Sequence, residues 1–143
     1  MTTATMAETK SQRTWPRSVA ALLIGFIAVV VLSLGTDEIL HLLKVYPPWG
    51  DPMYDQGQNL LALSYRIVYG ILGSYITARF APNRPMGHAL LSGVIGTVMG
   101  TIGVVATLPM HLGPAWYPIA IAVTALPCAW LGGLLHRRMR AEQ

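Results

Sequence analysis

Residues 37–66 read DEILHLLKVYPPWGDPMYDQGQNLLALSYR, and this stretch decides how the rest of the chain is arranged. It starts at the acidic end of one apolar segment and turns through a run of prolines and aromatic residues. It then enters a second apolar segment that carries Arg66. Proline restricts its own backbone and that of the preceding residue, so the central run predicts a stiff turn. We therefore expect two consecutive helices joined by a rigid aromatic hairpin.

The composition indicates that these helices lie in a membrane. The chain has 143 residues, of which 53% are hydrophobic and 11% are charged, and its mean hydropathy is +0.49. Soluble domains carry about 25% charged residues, and a soluble protein of this size could not bury so much apolar surface. The basic residues cluster beside apolar runs, which is typical of membrane topology rather than of nucleic-acid binding. The lipid bilayer is therefore the predicted partner.

Four segments are long enough to cross a bilayer, which needs about 20 mostly apolar residues. They cover residues 16–43, 58–80, 86–108 and 116–136. The short connectors predict that consecutive helices are antiparallel neighbours. The expected fold class is therefore all-α, an antiparallel bundle of four transmembrane helices within residues 15–138. Residues 1–14 are expected to form a disordered tail, and residues 139–143 a short C-terminal tail.

The basic residues predict the orientation, because lysine and arginine are enriched in cytoplasmic loops. Eight of them lie in the N-terminal segment, the second connector and the C-terminal end: Lys10, Arg13, Arg17, Arg79, Arg84, Arg137, Arg138 and Arg140. The first and third connectors hold only Lys44. We therefore predict that both termini are cytoplasmic and that the hairpin faces outward.

Arg66 is the most informative single residue. It lies about 12 Å inside the second segment, at 1.5 Å per residue, where an arginine costs about 2.5–3.5 kcal/mol and usually pairs. Asp37 or Glu38 is the expected partner, and the hydroxyls of Tyr65 and Tyr69 could add hydrogen bonds. The cluster is either a structural ion pair or a binding or proton-coupling site. In a third alternative, the side chain of Arg66 extends outward to the interface.

Glycines on two of the helices predict close helix packing. They recur at spacings of three and four, which places them on one helix face, and small residues let the backbones of membrane helices approach closely. The rows consist of Gly70 and Gly73 in the second helix, and Gly93, Gly96, Gly100 and Gly103 in the third. The pattern fits packing within one bundle or a seam between two copies of the chain.

Candidate residues for metal binding or catalysis are few. Cys128 is the only cysteine, so one chain can form neither a disulfide nor a thiolate metal site. His41 and His111 lie near the two outer connectors and are the only candidate metal ligands, although no metal-binding motif contains them. The sequence has no nucleophile–base pattern and no phosphate-binding glycine loop. We therefore predict no enzyme activity and no cofactor.

Four pieces of the chain resemble segments of small bacterial four-helix membrane proteins of unknown function. They are VYPPWG (45–50), YRIVYG (65–70), ARFAPNRPM (78–86) and ALPCAWLGG (125–133), and the resemblance extends from about residue 15 onward. It implies a bacterial plasma membrane and no particular chemistry. The small multidrug exporters are defined by a glutamate deep in their first helix. Residues 18–36 of this chain contain no acidic residue, so the chain does not resemble them.

Three classes of function remain open. A non-catalytic accessory or structural protein, paired with a second copy or another membrane protein, requires a closed bundle. A small transporter or channel subunit requires a water-filled cavity that reaches Arg66 and Asp37 or Glu38. An outward-facing metal or cofactor site requires His41 to lie close to His111. We favour the first class, because the apolar segments contain one arginine and have acids only near one rim.

Overall fold

The computed structural model describes the backbone of residues 2–143 and the side chains from Thr14 onward. Helix α1 spans Thr2–Leu42, α2 spans Gln56–Phe80, α3 spans Pro85–Thr107 and α4 spans Trp116–Ala141, with a short 3₁₀ turn at Leu108–Met110. Each helix contains a stretch long and apolar enough to cross a membrane: Thr14–Leu42, Gln56–Phe80, Pro85–Met110 and Trp116–Ala141. The prediction of an all-helical chain with four candidate membrane spans is confirmed.

Two helix boundaries differ from those predicted. The backbone of α1 is helical from Thr2, whereas the sequence predicted a disordered tail over residues 1–14, so Pro16 lies inside the helix. Residues 2–13 contain no glycine or proline and include Ala4, Ala7 and Glu8, which favour helix. Helix α4 continues to Ala141 rather than ending at His136. Arginines in its last turn are favourable, because cations stabilise the negative end of a helix dipole.

Helix α2 lies at the centre of the bundle and contacts the other three helices, whereas α1 and α4 do not approach each other within the described residues. Contacts along α1 and α2 run in opposite directions, since Gly25 lies against Thr77 and Asp37 pairs with Arg66. Helices α3 and α4 are likewise antiparallel, and α2 and α4 are parallel. The three helices α2, α3 and α4 therefore form a compact unit, and α1 packs mainly on α2.

Small side chains fill the interior, and large apolar side chains face outward. Ala89 and Ala129 are fully buried, whereas 71% of the surface of Val105 and 55% of that of Ile27 is exposed. A soluble protein has the opposite arrangement, because burial of large apolar side chains drives its folding. In a bilayer the lipid chains cover these outward faces, and close packing of small residues holds the helices together.

The predicted glycine row of α3 lies along the contact of α3 with α4, except at Gly103. A Cβ atom added at Gly93 would overlap the side chain of Ala129, and one added at Gly100 would lie 2.9 Å from the Cα of Ala122. At Gly96 an added Cβ would lie 3.3 Å from that of Ala125. Gly103 faces open space, since nothing lies within 4 Å of an added Cβ. The row therefore packs within the bundle for most of its length.

The other two helix crossings also depend on glycine. Where α1 crosses α2, a Cβ added at Gly73 would lie 2.9 Å from the carbonyl oxygen of Gly25. Where α4 crosses α2, a Cβ added at Gly132 would lie 2.8 Å from the backbone nitrogen of Tyr75. Gly70 has more room, with the Cβ of Cys128 at 3.4 Å. Gly25 and Gly132 lie outside the predicted rows, yet the backbones approach most closely at these crossings.

Gly100→Ala and Gly103→Ala form a matched pair on one helix. We expect Gly100→Ala to destabilise the bundle by about 1–3 kcal/mol, because the added methyl group meets the backbone of α4. We expect Gly103→Ala to be neutral or to stabilise α3 by up to about 1 kcal/mol, because alanine favours helix. Unfolding curves in detergent micelles measure both effects. Equal changes in stability would contradict close packing at Gly100.

Candidate functional site

Local structure at the hairpin sets the positions of α1 and α2 around the site. Helix α1 ends where Lys44 adopts the left-handed conformation, with φ 58°. The N–H of Val45 then donates to the carbonyl oxygen of Leu40 at 2.9 Å, as in a Schellman motif. Asp55 caps α2, because its carboxylate accepts from the N–H of Gln58 at 2.9 Å. These two caps define where α1 ends and where α2 begins on either side of the hairpin.

An ion pair joins the two helices just below the hairpin. Nη2 of Arg66 lies 2.5 Å from Oδ2 of Asp37. Asp37 is 6% exposed, and 25% of the Arg66 side chain is exposed. The pair is therefore largely removed from solvent, where an uncompensated charge would be very unfavourable.

The hydroxyl of Tyr65 forms hydrogen bonds with both Asp37 and Arg66. It donates to Oδ1 of Asp37 and accepts from Nη1 of Arg66, at 3.2 Å in the second case. Because the Tyr65 proton is directed to Asp37, the hydroxyl of Tyr46 is the donor in the contact between the two tyrosines. Its one proton is shared between the Tyr65 hydroxyl at 3.2 Å and the carbonyl oxygen of Gln58 at 3.4 Å. Burial raises the pKa of Tyr46 and outweighs the effect of its hydrogen bond to Tyr65. Tyr46 therefore stays protonated and remains a donor.

Aromatic rings surround the guanidinium group of Arg66. Its Cζ lies 5.3 Å from the ring centroid of Tyr65 and 5.9 Å from that of Tyr117, which comes from α4. Such cation–π contacts stabilise a desolvated cation. The hydroxyl of Tyr69 is hydrogen-bonded to Oγ1 of Thr36 at 2.7 Å rather than to the ion pair, and its ring lies 5.8 Å from that of Tyr65. That hydrogen bond is a second link between α1 and α2, one helical turn away from Arg66.

Glu38, the alternative partner of Arg66, lies in α1 and contacts the hairpin instead. Its Oε2 accepts from Nε1 of Trp49 at 3.1 Å. The ring of Trp49 lies 4.0 Å from that of His41, measured between centroids. Nδ1 of His41 donates to the carbonyl oxygen of Pro47 at 2.6 Å. The hairpin thus folds back onto the last turns of α1 and is held there by side chains of that helix.

The structure offers little support for a metal site at His41 and His111. The Nδ1 atom of His41 is occupied by Pro47, and its ring stacks on Trp49. The backbone carbonyl of His111 accepts from the hydroxyl of Tyr54 at 2.8 Å. Among the side chains described, no three histidine, cysteine, aspartate or glutamate residues are grouped closely enough to hold a metal ion.

Asn59 is a structural residue that the sequence analysis did not identify. It is 1% exposed, and its Nδ2 donates to the carbonyl oxygens of Met53 and Asp55 at 2.9 and 2.8 Å. The N–H of Met53 in turn donates to the carbonyl oxygen of Leu112 at 2.7 Å. Asn59 therefore ties the hairpin to α2, and Met53 ties it to the connector between α3 and α4. The signal available in the sequence was an asparagine at the start of the second apolar segment.

Two grooves lie at opposite ends of the bundle, and the ion pair lines neither of them. One, of about 830 Å³, is formed by the hairpin and the end of α1, including Glu38, His41 and Trp49. The other, of about 670 Å³, lies beside the turn between α2 and α3 and includes Arg79 and Arg140. The charges inside the helices are thus separated from both grooves.

A comparison of the chain with protein-family models, curated proteins and solved structures finds no match.

Tyr65→Phe removes the hydroxyl that bridges Asp37 and Arg66 and leaves the ring in place. We expect a loss of about 1.5–3 kcal/mol of stability, the range for hydrogen bonds to charged groups. Tyr75→Phe is the matched control, since within the described residues the Tyr75 side chain makes only a ring contact, with His136. Unfolding midpoints in detergent compare the two variants. If both unfold at the midpoint of the unmodified protein, the hydroxyl of Tyr65 does not hold the ion pair.

Proposed function

We propose that the protein is a non-catalytic integral membrane protein of the bacterial plasma membrane with an accessory or structural role. One observation carries the proposal: the charged pair inside the helices is satisfied within the chain. Arg66 bonds to Asp37 and Tyr65 and reaches the carbonyl oxygen of Ala62 at 3.5 Å. A binding or transport site would instead hold a charge or donor ready for an incoming ligand.

The proposed orientation has both termini in the cytoplasm. It is supported by the positions of the arginines, because the fold gathers Arg79 and Arg84 with Arg140 at one end of the bundle. The hairpin end carries Asp51 and Asp55 and one lysine, Lys44. An excess of arginine on one side is typical of the cytoplasmic face of a membrane protein.

Lipid and a second copy of the chain are the partners we propose for the outward faces. Helix α1 is held mainly by α2 and exposes large apolar side chains such as Phe26 and Val31. Gly35 and Gly103 lie on open parts of the surface, since a Cβ added at either would meet nothing within 4 Å. Small residues on an open helix face allow another helix to approach closely. A homo-oligomer or a complex with another membrane protein fits these faces.

A small transporter or channel subunit is the second candidate function. The observation in its favour is the exposed quarter of the Arg66 side chain. Water entering there from the hairpin side would reach Arg66 and Asp37 and would make the buried ion pair an accessible polar site. A metal or cofactor site at His41 and His111 is the third candidate, and the hydrogen bond from His41 to Pro47 argues against it.

Cysteine accessibility distinguishes the first two candidates. Tyr69→Cys, made in a Cys128→Ser background, places one thiol a helical turn from Arg66. A membrane-impermeant maleimide is then applied to intact cells. We expect no labelling at this position until the protein is denatured, because a structural role leaves no water-filled path to the ion pair.

Two control variants calibrate the measurement. Trp49→Cys lies in the hairpin, where the native side chain is 61% exposed, and should label rapidly from outside. Val98→Cys lies on an outward face of α3, where the native side chain is 54% exposed, and should stay unlabelled in lipid. Rapid labelling of Tyr69→Cys would contradict the structural role and favour transport. Failure of Trp49→Cys to label in intact cells would contradict the proposed orientation.

A further inference from the structure

The groove at the end of the bundle opposite the hairpin collects arginines from three parts of the fold. Arg79 lies in the last turn of α2, Arg84 in the turn before α3, and Arg140 near the end of α4. The groove has a volume of about 670 Å³. Arg140 is far from the other two in sequence, so the packing of α4 on α2 creates this cationic site.

None of the described side chains that line the groove is acidic. In the described part of the chain, the only ion pair is that of Arg66 with Asp37, at the other end of the bundle. Arg79, Arg84 and Arg140 are all exposed and therefore keep their charges without an internal counter-ion. A concave surface lined by charges of one sign concentrates the opposite charge from its surroundings.

The chemistry of the lining favours a phosphate group as that counter-charge. A guanidinium group presents a planar fork of N–H donors that matches two oxygens of a phosphate. Asn83 adds an amide donor to the same groove. Helix α3 begins at Pro85, which also lines the groove, and no side chain caps this helix. The positive end of its dipole adds to the field of the three arginines.

The turn between α2 and α3 holds Arg84 in an unusual backbone conformation. Its φ is 41°, in the left-handed region, which residues other than glycine, asparagine and aspartate rarely adopt. The prolines at 82 and 85 stiffen the turn on both sides. The turn therefore holds the backbone of Arg84 in one conformation at the edge of the groove.

Apolar side chains on the rim of the groove indicate which kind of molecule carries the phosphate. Phe80 and Met139 line the same groove and are 52% and 45% exposed. Cationic groups beside exposed apolar groups match the boundary between lipid headgroups and acyl chains. We propose that this groove binds the phosphate of an anionic phospholipid headgroup, with the acyl chains lying along Phe80 and Met139.

Native mass spectrometry of the full chain in neutral detergent tests the proposal. The protein is titrated with phosphatidylglycerol, with phosphatidylcholine, and with inorganic phosphate in competition with the first lipid. Arg79→Gln, Arg84→Gln and Arg140→Gln are compared with Arg138→Gln, which removes the same charge but lies outside the groove. We expect each groove variant to weaken phosphatidylglycerol binding about fivefold, since one arginine near anionic lipid is worth about 1 kcal/mol.

The controls separate a specific lipid site from a general attraction between positive protein and negative lipid. Arg138→Gln should leave the apparent Kd for phosphatidylglycerol nearly unchanged, and phosphatidylcholine should bind more weakly than phosphatidylglycerol. Equal weakening by Arg138→Gln would show a general charge effect and overturn the site. Equal binding of the two lipids would do the same. Complete displacement of the lipid by an equal concentration of inorganic phosphate would overturn the lipid assignment.

Discussion

A charge inside a membrane helix must be neutralised within the protein, and the arrangement of α1 against α2 depends on this constraint. Arg66 is held by Asp37, and the hydroxyl of Tyr65 bridges the two. Moving either charge into an apolar environment alone is very unfavourable, whereas the hydrogen-bonded pair is tolerated. Helix α1 has few other neighbours. The ion pair, together with the close crossing of Gly25 and Gly73, therefore fixes both the register and the rotation of α1.

The remaining helices are held by shape rather than by charge. Alanine and glycine fill the contact between α3 and α4, and Gly132 lets α4 approach the backbone of α2. The hydrophobic effect gives no preference for helix association in lipid, since lipid chains are as apolar as leucine. Close backbone approach and many small dispersion contacts take its place. This explains why the largest apolar side chains face outward while alanine occupies the interior.

The helices and the need for a partner at Arg66 were predictable from sequence, because both follow from apolar length and the behaviour of charge in lipid. The choice of Asp37 over Glu38 was not. Adjacent residues point about 100° apart around a helix, and the sequence does not give the rotation of α1. Tyr117 joins the site from a distant part of the chain. Gly25 lies in a row with Ser18, Ala21 and Ala28 at spacings of three and four, so the pattern was present in the sequence but was not among the predicted rows.

The two ends of the bundle differ in whether their charged side chains have partners within the chain. At the hairpin end Asp37 is paired with Arg66, Glu38 accepts from Trp49 and Asp55 caps α2. The opposite end leaves three arginines in an open groove without a partner among the described residues. Within the described residues, the acidic side chains Asp37, Glu38 and Asp55 near the hairpin thus have partners in the chain, whereas the three arginines of the groove have no acidic partner.

A double-mutant cycle on Asp37 and Arg66 tests the central claim most directly. Unfolding free energies in detergent are measured for Arg66→Leu, Asp37→Asn and the double variant. We expect each single variant to lose about 3–5 kcal/mol, because it leaves a buried group without its partner. The double variant should lose less than the sum of the single losses. Losses that simply add would show that the two side chains do not interact, and would contradict a fold held by their pairing.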